Sequence, residues 1–134
     1  MSYLLDVNAL VALGLLQHEF HQRVALWLHD LASKQPELAT CSITELGFVR
    51  VLAQAPQYGL TVSQARALLL RLKRGEVFRF TFIPDDHDVS RLPEWVKTPK
   101  QITDGHLVHL AKTNDAVLAT LDRKIPGTFL IPER

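Results

Sequence analysis

Apolar and polar positions divide the chain into short apolar segments and longer segments with one apolar face. In the longer segments apolar residues recur at helical spacing, for example at Phe20, Val24 and Leu28, which places them on one side of a helix. Short runs rich in apolar and β-forming residues predict strands. We predict strands over residues 3–5, 37–41, 77–82, 116–120 and 128–131. We predict helices over residues 8–16, 19–32, 42–53, 61–74 and 103–112.

Local signals define several boundaries of these elements. Thr61 and Gln64 have the spacing of a capping box, and Gly75 is well placed to end the helix that they open. The prolines of residues 84–100 predict a loop with a short helix. Strands that alternate with helices favour a parallel sheet covered on both faces. For 134 residues we expect one α/β domain over residues 1–134, with three layers (α/β/α) and a short parallel β-sheet.

The composition is that of a globular protein, since hydrophobic residues make up 47% of the chain and charged residues 22%. No apolar run approaches the roughly 20 residues that a membrane helix requires. No basic region followed by a long apolar stretch marks a signal peptide. Cys41 is the only cysteine, so an intrachain disulfide is impossible. These features predict a cytoplasmic protein with no membrane partner.

Basic residues are concentrated in one part of the chain although the net charge is only +1. The largest cluster comprises Arg66, Arg71, Lys73, Arg74 and Arg79. Such a cluster can contact phosphates. It can equally form a solvated helix face.

Four acidic residues fall at predicted strand ends or helix starts. Asp6 ends the first strand and Asp122 follows the strand at 116–120. Glu45 lies in the first turn of the helix after the second strand, and Asp104 in the first turn of the helix before 116–120. Sites in open α/β sheets form beyond the carboxyl ends of the strands, so these acids can meet there. Their repulsion would raise their pKa values or require a cation, and carboxylate oxygens favour Mg²⁺ or Mn²⁺.

Each acid also has a purely structural explanation. Asp6 has the residue type and position of a helix N-cap. Glu45 stands three residues after Ser42, which is the spacing of a capping box. Asp104 is favoured in a first helical turn by the helix dipole, and Asp122 is a common turn residue. We therefore expect the N-cap explanation of Asp6 to hold only if the other three acids lie elsewhere.

Four segments resemble the successive acidic motifs of PIN-domain proteins, and most closely those of the VapC-type toxins of bacterial toxin–antitoxin pairs. They are LLDVNAL (4–10), TELGFVR (44–50), TDGHLVHLA (103–111) and LATLDR (118–123). The resemblance extends from Tyr3 to about Lys124, nearly the whole chain. Gly105 is one departure, because the family often has alanine there.

The resemblance implies a metal-dependent endoribonuclease with a small parallel sheet between helices. It also implies an RNA substrate, a cognate antitoxin partner and a homodimer. The implied catalytic and metal-binding cluster consists of Asp6, Glu45, Asp104 and Asp122, with Asn8 in support.

The chemistry of phosphodiester hydrolysis agrees with this residue set. One or two divalent ions held by carboxylates can activate a water and stabilise charge on the phosphate without a protein nucleophile. We expect Asp6 and Asp104 to bind Mg²⁺ or Mn²⁺ directly. Glu45 and Asp122 would be further ligands or would orient water, and Arg50 is a candidate phosphate contact.

Two alternatives stay open from the sequence. One is a haloacid-dehalogenase-like phosphatase, because a strand ending in Asp6-Val7-Asn8 faintly resembles the nucleophile motif of that family. That family usually has a second aspartate in the place of Asn8. The other alternative is a catalytically silent PIN-like module that binds RNA or protein, although all four acids are present.

Overall fold

The structure, a computed structural model, describes residues 2–133. Met1 and Arg134, the two ends of the predicted domain, lie outside the described residues. The strands are β1 (Ser2–Leu5), β2 (Glu37–Cys41), β3 (Arg79–Ile83), β4 (Ala116–Thr120) and β5 (Phe129–Leu130). The α-helices are α1 (Val7–Gly14), α2 (His21–Leu31), α3 (Ser42–Gln54), α4 (Val62–Arg74) and α5 (Ile102–Thr113). Short 3-10 turns occupy Ala32–Lys34, Val89–Arg91 and Pro99–Gln101.

All neighbouring strands of the sheet are parallel, in the order β3-β2-β1-β4-β5. The chain starts in the centre at β1, builds one side with β2 and β3, and then crosses to the other side with β4 and β5. β1 is therefore flanked by strands that lead away from it in opposite directions. The boundary between β1 and β4, where the strand order reverses, is the topological switch point of the sheet.

Two apolar cores cover the two faces of the sheet. Alternate side chains of β1 point to opposite faces, so Tyr3 and Leu5 join one core while Leu4 joins the other. The larger core contains buried residues of α1, α2, α3 and α4, including Phe48. The smaller core contains buried residues of α5, including Leu107. This arrangement confirms the predicted α/β fold with a parallel sheet between helices.

Three predicted boundaries are wrong by about two residues. The first helix ends at Gly14 rather than at residue 16, since Leu15 is extended and buried while Leu16 is 82% exposed. The second begins at His21 rather than at residue 19. The third strand runs over Arg79–Ile83 rather than 77–82, because its length is set by pairing with the five residues of β2.

The helices of the described residues include none with the length and apolar character needed to cross a membrane. The capping box of Thr61 and Gln64 is confirmed by both hydrogen bonds, from the Gln64 N–H to Thr61 Oγ1 and from the Thr61 N–H to Gln64 Oε1. Gly75 ends α4, as the sequence predicts.

Candidate active site

The candidate site lies at the carboxyl ends of β1 and β4, at the topological switch point. Asp6 follows β1 directly, and its N–H donates to the carbonyl of Ala119 in β4 at 3.1 Å. Thr120 is the last residue of β4, and Asp122 follows two residues later. Crevices at such switch points are where ligands bind in open α/β sheets. The fold therefore places Asp6 and Asp122 beside the crevice where open α/β sheets bind their ligands.

Asp6 uses its two carboxylate oxygens for two different purposes. Oδ1 accepts a hydrogen bond from the Ala9 N–H at 2.8 Å and caps α1. Oδ2 accepts a hydrogen bond from the Thr120 hydroxyl at 2.5 Å. The residue is only 7% exposed. The expectation that Asp6 is an N-cap only if the other acids lie elsewhere is wrong, because the N-cap role uses Oδ1 and leaves Oδ2 directed towards β4.

The carboxylates of Asp6, Asp104 and Asp122 interact unfavourably with one another. Burial raises the pKa of Asp6 most strongly, hydrogen bonds from Thr120 and Ala9 lower it, and repulsion by Asp104 and Asp122 raises it again. Burial, followed by repulsion from Asp122, also raises the pKa of Asp104. No basic side chain contributes to either shift among the described residues. Three of the four predicted acids thus share one electrostatic environment, and among the described residues none of the three forms an ion pair with a basic side chain.

Glu45 has different hydrogen-bond partners from these three acids. Its Oε2 accepts hydrogen bonds from the Thr40 hydroxyl and from Lys73 Nζ, each at 2.5 Å. The proposed capping box of Ser42 with Glu45 is wrong. Thr44 fills that role instead, because its Oγ1 accepts from the Cys41 N–H at 3.0 Å.

Thr40 and Thr120 are site residues that the sequence interpretation missed. Both are fully buried. Thr40 is the next-to-last residue of β2 and Thr120 is the last residue of β4, and both strands contain the sequence Leu-Ala-Thr. Each hydroxyl donates to one predicted acid. A hydroxyl at the end of an apolar strand is a detectable signal, because a buried polar group needs a partner. Lys73 was also missed as a partner of Glu45, since α3 and α4 are separated in sequence.

Asn8 and Asp122 line an open groove of about 890 Å³ beside the acids. Lys124, Arg123 and the acidic Glu19 also line this groove, and Arg123 is paired with Glu133 at 3.1 Å. Asp122 is also a turn residue, as its alternative explanation predicts: its N–H donates to Thr120 Oγ1 at 3.0 Å and its Oδ1 accepts from the Lys124 N–H at 2.9 Å. Its turn role and its proximity to the other acids therefore coexist.

Arg50 lies on a different surface from the acids. It lines a shallow depression between α3 and α4 together with Leu46, Val62 and Arg66. Five residues along a helix rotate a side chain by about 140°, so Arg50 and Glu45 leave α3 in different directions.

The acids fit a divalent cation by donor type and by charge. Carboxylate oxygens are the ligands that Mg²⁺ and Mn²⁺ prefer, and a cation would relieve the repulsion that raises the pKa values of Asp6 and Asp104. Within residues 2–133, no three carboxylate, imidazole or thiol groups are already arranged around one point. Binding would therefore need rotation of at least one acidic side chain.

Comparison with known proteins agrees with this geometry. The PIN domain family model matches residues 3–128, so the dehalogenase-like alternative is not supported. The chain is 36% identical to ribonuclease VapC44 of Mycobacterium tuberculosis over 96% of the chain and 91% of that protein. It is 37% identical to ribonuclease VapC38 of the same species over 98% of the chain and 90% of that protein.

A solved structure supports the fold. The crystal structure of VapBC2 from Rickettsia felis bound to a DNA fragment from their promoter matches with a TM-score of 0.62, at 18% identity, over 97% of each chain. At this identity the match supports the architecture alone. Together with the family model and the near-full-length relatives, it leads to one conclusion. The chain belongs to the PIN-domain family and, within it, to the VapC ribonucleases.

Proposed function

We propose that this protein is a divalent-metal-dependent endoribonuclease that acts as the toxin of a toxin–antitoxin pair. One observation carries the proposal: Asp6, Asp104 and Asp122 repel one another near the switch point of the sheet, and none of them forms an ion pair with a basic side chain among the described residues. Such an arrangement is costly unless a cation compensates it. The ribonuclease relatives supply the reaction class.

We propose Asp6 and Asp104 as direct ligands of Mg²⁺ or Mn²⁺, and Glu45 and Asp122 as further ligands or as groups that orient water. The chemistry that a bound divalent ion supplies is activation of water near neutral pH and stabilisation of charge on the phosphate. The protein's own contribution is to fix the carboxylates. The Ala9 N–H and the Thr120 hydroxyl hold Asp6 in one orientation, which limits the rearrangement needed when the cation and the RNA bind.

The groove beside the acids suits an RNA strand. Lys124 supplies positive charge next to Asp122, and phosphate contacts of this kind provide sequence-independent affinity. Asn8, on the same groove, is proposed to support the acidic cluster. Arg50 is proposed to contact a phosphate distant from the reacting one, because it lies with Arg66 on the face between α3 and α4.

The proposed partners are a cognate antitoxin and a second copy of the chain in a homodimer. Support comes from exposed apolar side chains outside the depression that Arg50 lines, among them Leu16, Val77 and Val89, since exposed apolar surface commonly marks protein interfaces. A cytoplasmic location is proposed on the basis of the single cysteine, Cys41, which is buried and unpaired.

The test is cleavage of total RNA by the purified protein with Mg²⁺ or Mn²⁺, and with EDTA. We expect discrete fragments that require the metal. The cleavage rate of the Asp6→Asn/Asp104→Asn variant, checked for folding, should fall by about 100-fold or more. Loss of a direct metal ligand should cost at least as much activity as loss of a residue that supports one. Asp115→Asn is a matched control, since Asp115 is exposed at the opposite end of β4 and has a φ of 56° that asparagine tolerates.

Two outcomes would contradict the proposal. Cleavage that persists in EDTA would show that no divalent ion is needed. If the wild-type protein binds RNA in a gel-shift assay but does not cleave it, the result would instead support a catalytically silent RNA-binding module.

A further inference from the structure

Lys73 of α4 pairs with Glu45, which among the described residues is the one predicted acid with a basic partner. Its Nζ lies 2.5 Å from Glu45 Oε2, and the two side chains are only 23% and 22% exposed. The same Nζ lies 5.6 Å from the centre of the Phe82 ring of β3. Lys73 therefore sits between a carboxylate and the face of an aromatic ring, with most of its surface removed from water.

The four predicted acids differ in their protein partners. Glu45 Oε2 accepts hydrogen bonds from both Lys73 and Thr40, and the lysine donor carries a full positive charge. Asp6 receives only neutral donors, from Ala9 and Thr120. A lysine paired with a carboxylate at this distance offsets most of the carboxylate's attraction for a second cation.

We propose that Lys73 is an internal counter-ion for Glu45 that a divalent cation must displace. The inference rests on the proposed function, because it assumes that Glu45 joins the metal-binding acids. In this structure Lys73 and Thr40 occupy Glu45 Oε2, so a cation can reach that oxygen only by replacing a donor that is already in place. Lys73 is then a positioning residue that lowers the affinity of the site for divalent ions.

The structure also offers a place for the displaced ammonium group. Phe82 is partly exposed, and its ring face already lies within cation–π distance of Lys73 Nζ. Lys73 can lose its contact with Glu45 and keep its contact with the ring. The exchange of one cation for another at Glu45 thus avoids leaving a buried charge without a partner.

The first test is the Mn²⁺ affinity of Lys73→Met, measured by isothermal titration calorimetry. Methionine keeps the apolar stem and removes the charge, so we expect the association constant to rise by about 3- to 10-fold. Lys34→Met is the matched control, because it removes the same charge from a lysine that is exposed in the 3-10 turn before β2. An unchanged or lower affinity in a folded Lys73→Met protein would overturn the proposal.

Asp6→Asn separates this inference from the proposed function. If Asp6→Asn leaves Mn²⁺ binding unchanged, the metal site itself is wrong. If Asp6→Asn weakens binding while Lys73→Met has no effect, only the role of Lys73 is wrong.

The second test uses the wild-type protein and does not depend on the folding of a variant. Reductive methylation of lysines is followed by mass spectrometry with and without saturating Mg²⁺. We expect the labelling rate of Lys73 relative to Lys34 to rise by at least about twofold with Mg²⁺, because its ammonium group loses the contact with Glu45. An unchanged relative rate under saturating Mg²⁺ would show that Lys73 stays on Glu45 and would overturn the proposal.

Discussion

At the scale of single residues, Asp6 shows that an N-cap residue can direct its second carboxylate oxygen away from the helix that it caps. A carboxylate has two oxygens, and the strand-to-helix turn aims one at the start of α1 and the other at Thr120. The sequence identifies Asp6 because an acid after an apolar strand is unusual. It does not identify Thr120, because that contact joins residues 114 positions apart.

Thr120→Val tests how much the buried hydroxyl contributes. The valine has nearly the same shape, but Asp6 Oδ2 loses a donor and the Asp122 N–H loses an acceptor. We expect the free energy of unfolding to fall by about 1–3 kcal/mol, measured by urea denaturation. Thr81→Val is the control, because Thr81 is exposed on β3. Equal losses for the two variants would contradict a special role for Thr120.

The raised pKa of Asp6 predicts how stability depends on pH in the absence of metal. Folding raises this pKa above its ordinary value of 3.8, mainly through burial. The folded protein therefore binds more protons than the unfolded chain, so the free energy of unfolding falls as pH rises from near 3.8 through the raised value. Asp6→Asn removes this contribution. Asp104, whose pKa is also raised, keeps part of the slope.

Urea denaturation of both proteins in EDTA, from about pH 4 to about pH 8, measures this difference. We expect the stability of the wild-type protein to fall more steeply with pH than that of Asp6→Asn. Parallel curves would show that Asp6 is already ionised at the lower end of the range.

At the scale of elements, Gly105 in α5 explains a departure from the pattern of the family. The resemblance implies alanine at this position, and the sequence alone suggests only a small loss of helix stability. A Cβ at Gly105 would lie 2.2 Å from Val96 Cγ2 and 3.4 Å from Pro93 Cδ. The glycine therefore allows the loop before α5 to pack against the turn that carries Asp104.

Gly105→Ala should lower the free energy of unfolding by about 1–3 kcal/mol, because overpacking outweighs the gain in helix propensity. Val96→Ala in the same protein should recover most of this loss, which gives a coupling energy of about 0.5–3 kcal/mol in a double-mutant cycle. Gly75→Ala is the control, since its nearest atom would be an ordinary 3.5 Å away. Additive effects of the Gly105 and Val96 changes would contradict the contact.

Predictions of elements from the sequence succeed where the signal is local. The capping box at Thr61 and the stop at Gly75 depend on neighbouring residues, and both are confirmed. The start of β3 is wrong because it depends on pairing with β2. Lys73 is missed as the partner of Glu45 for the same reason, since the contact exists only after α3 and α4 pack.

At the scale of the whole molecule, the order of the strands brings the acids together. β1 lies between β2 and β4 and is parallel to both. The segments that follow these three strands therefore begin at the same edge of the sheet. The alternation of strands and helices predicts the parallel sheet, but the strand order depends on long-range pairing that no local pattern encodes. The sequence thus predicts which acids to examine, and the structure shows which of them share one environment.

The central claim is that Asp6, Asp104 and Asp122 form part of a divalent-cation site. The most direct test is the melting temperature of the wild-type protein, Asp104→Asn and Asp115→Asn as a function of Mn²⁺ concentration, since a ligand that binds the folded state raises it. We predict that the wild-type and Asp115→Asn proteins become more stable as Mn²⁺ is added, and that Asp104→Asn does not. Equal stabilisation of all three proteins, or none of the wild-type protein, would contradict the claim.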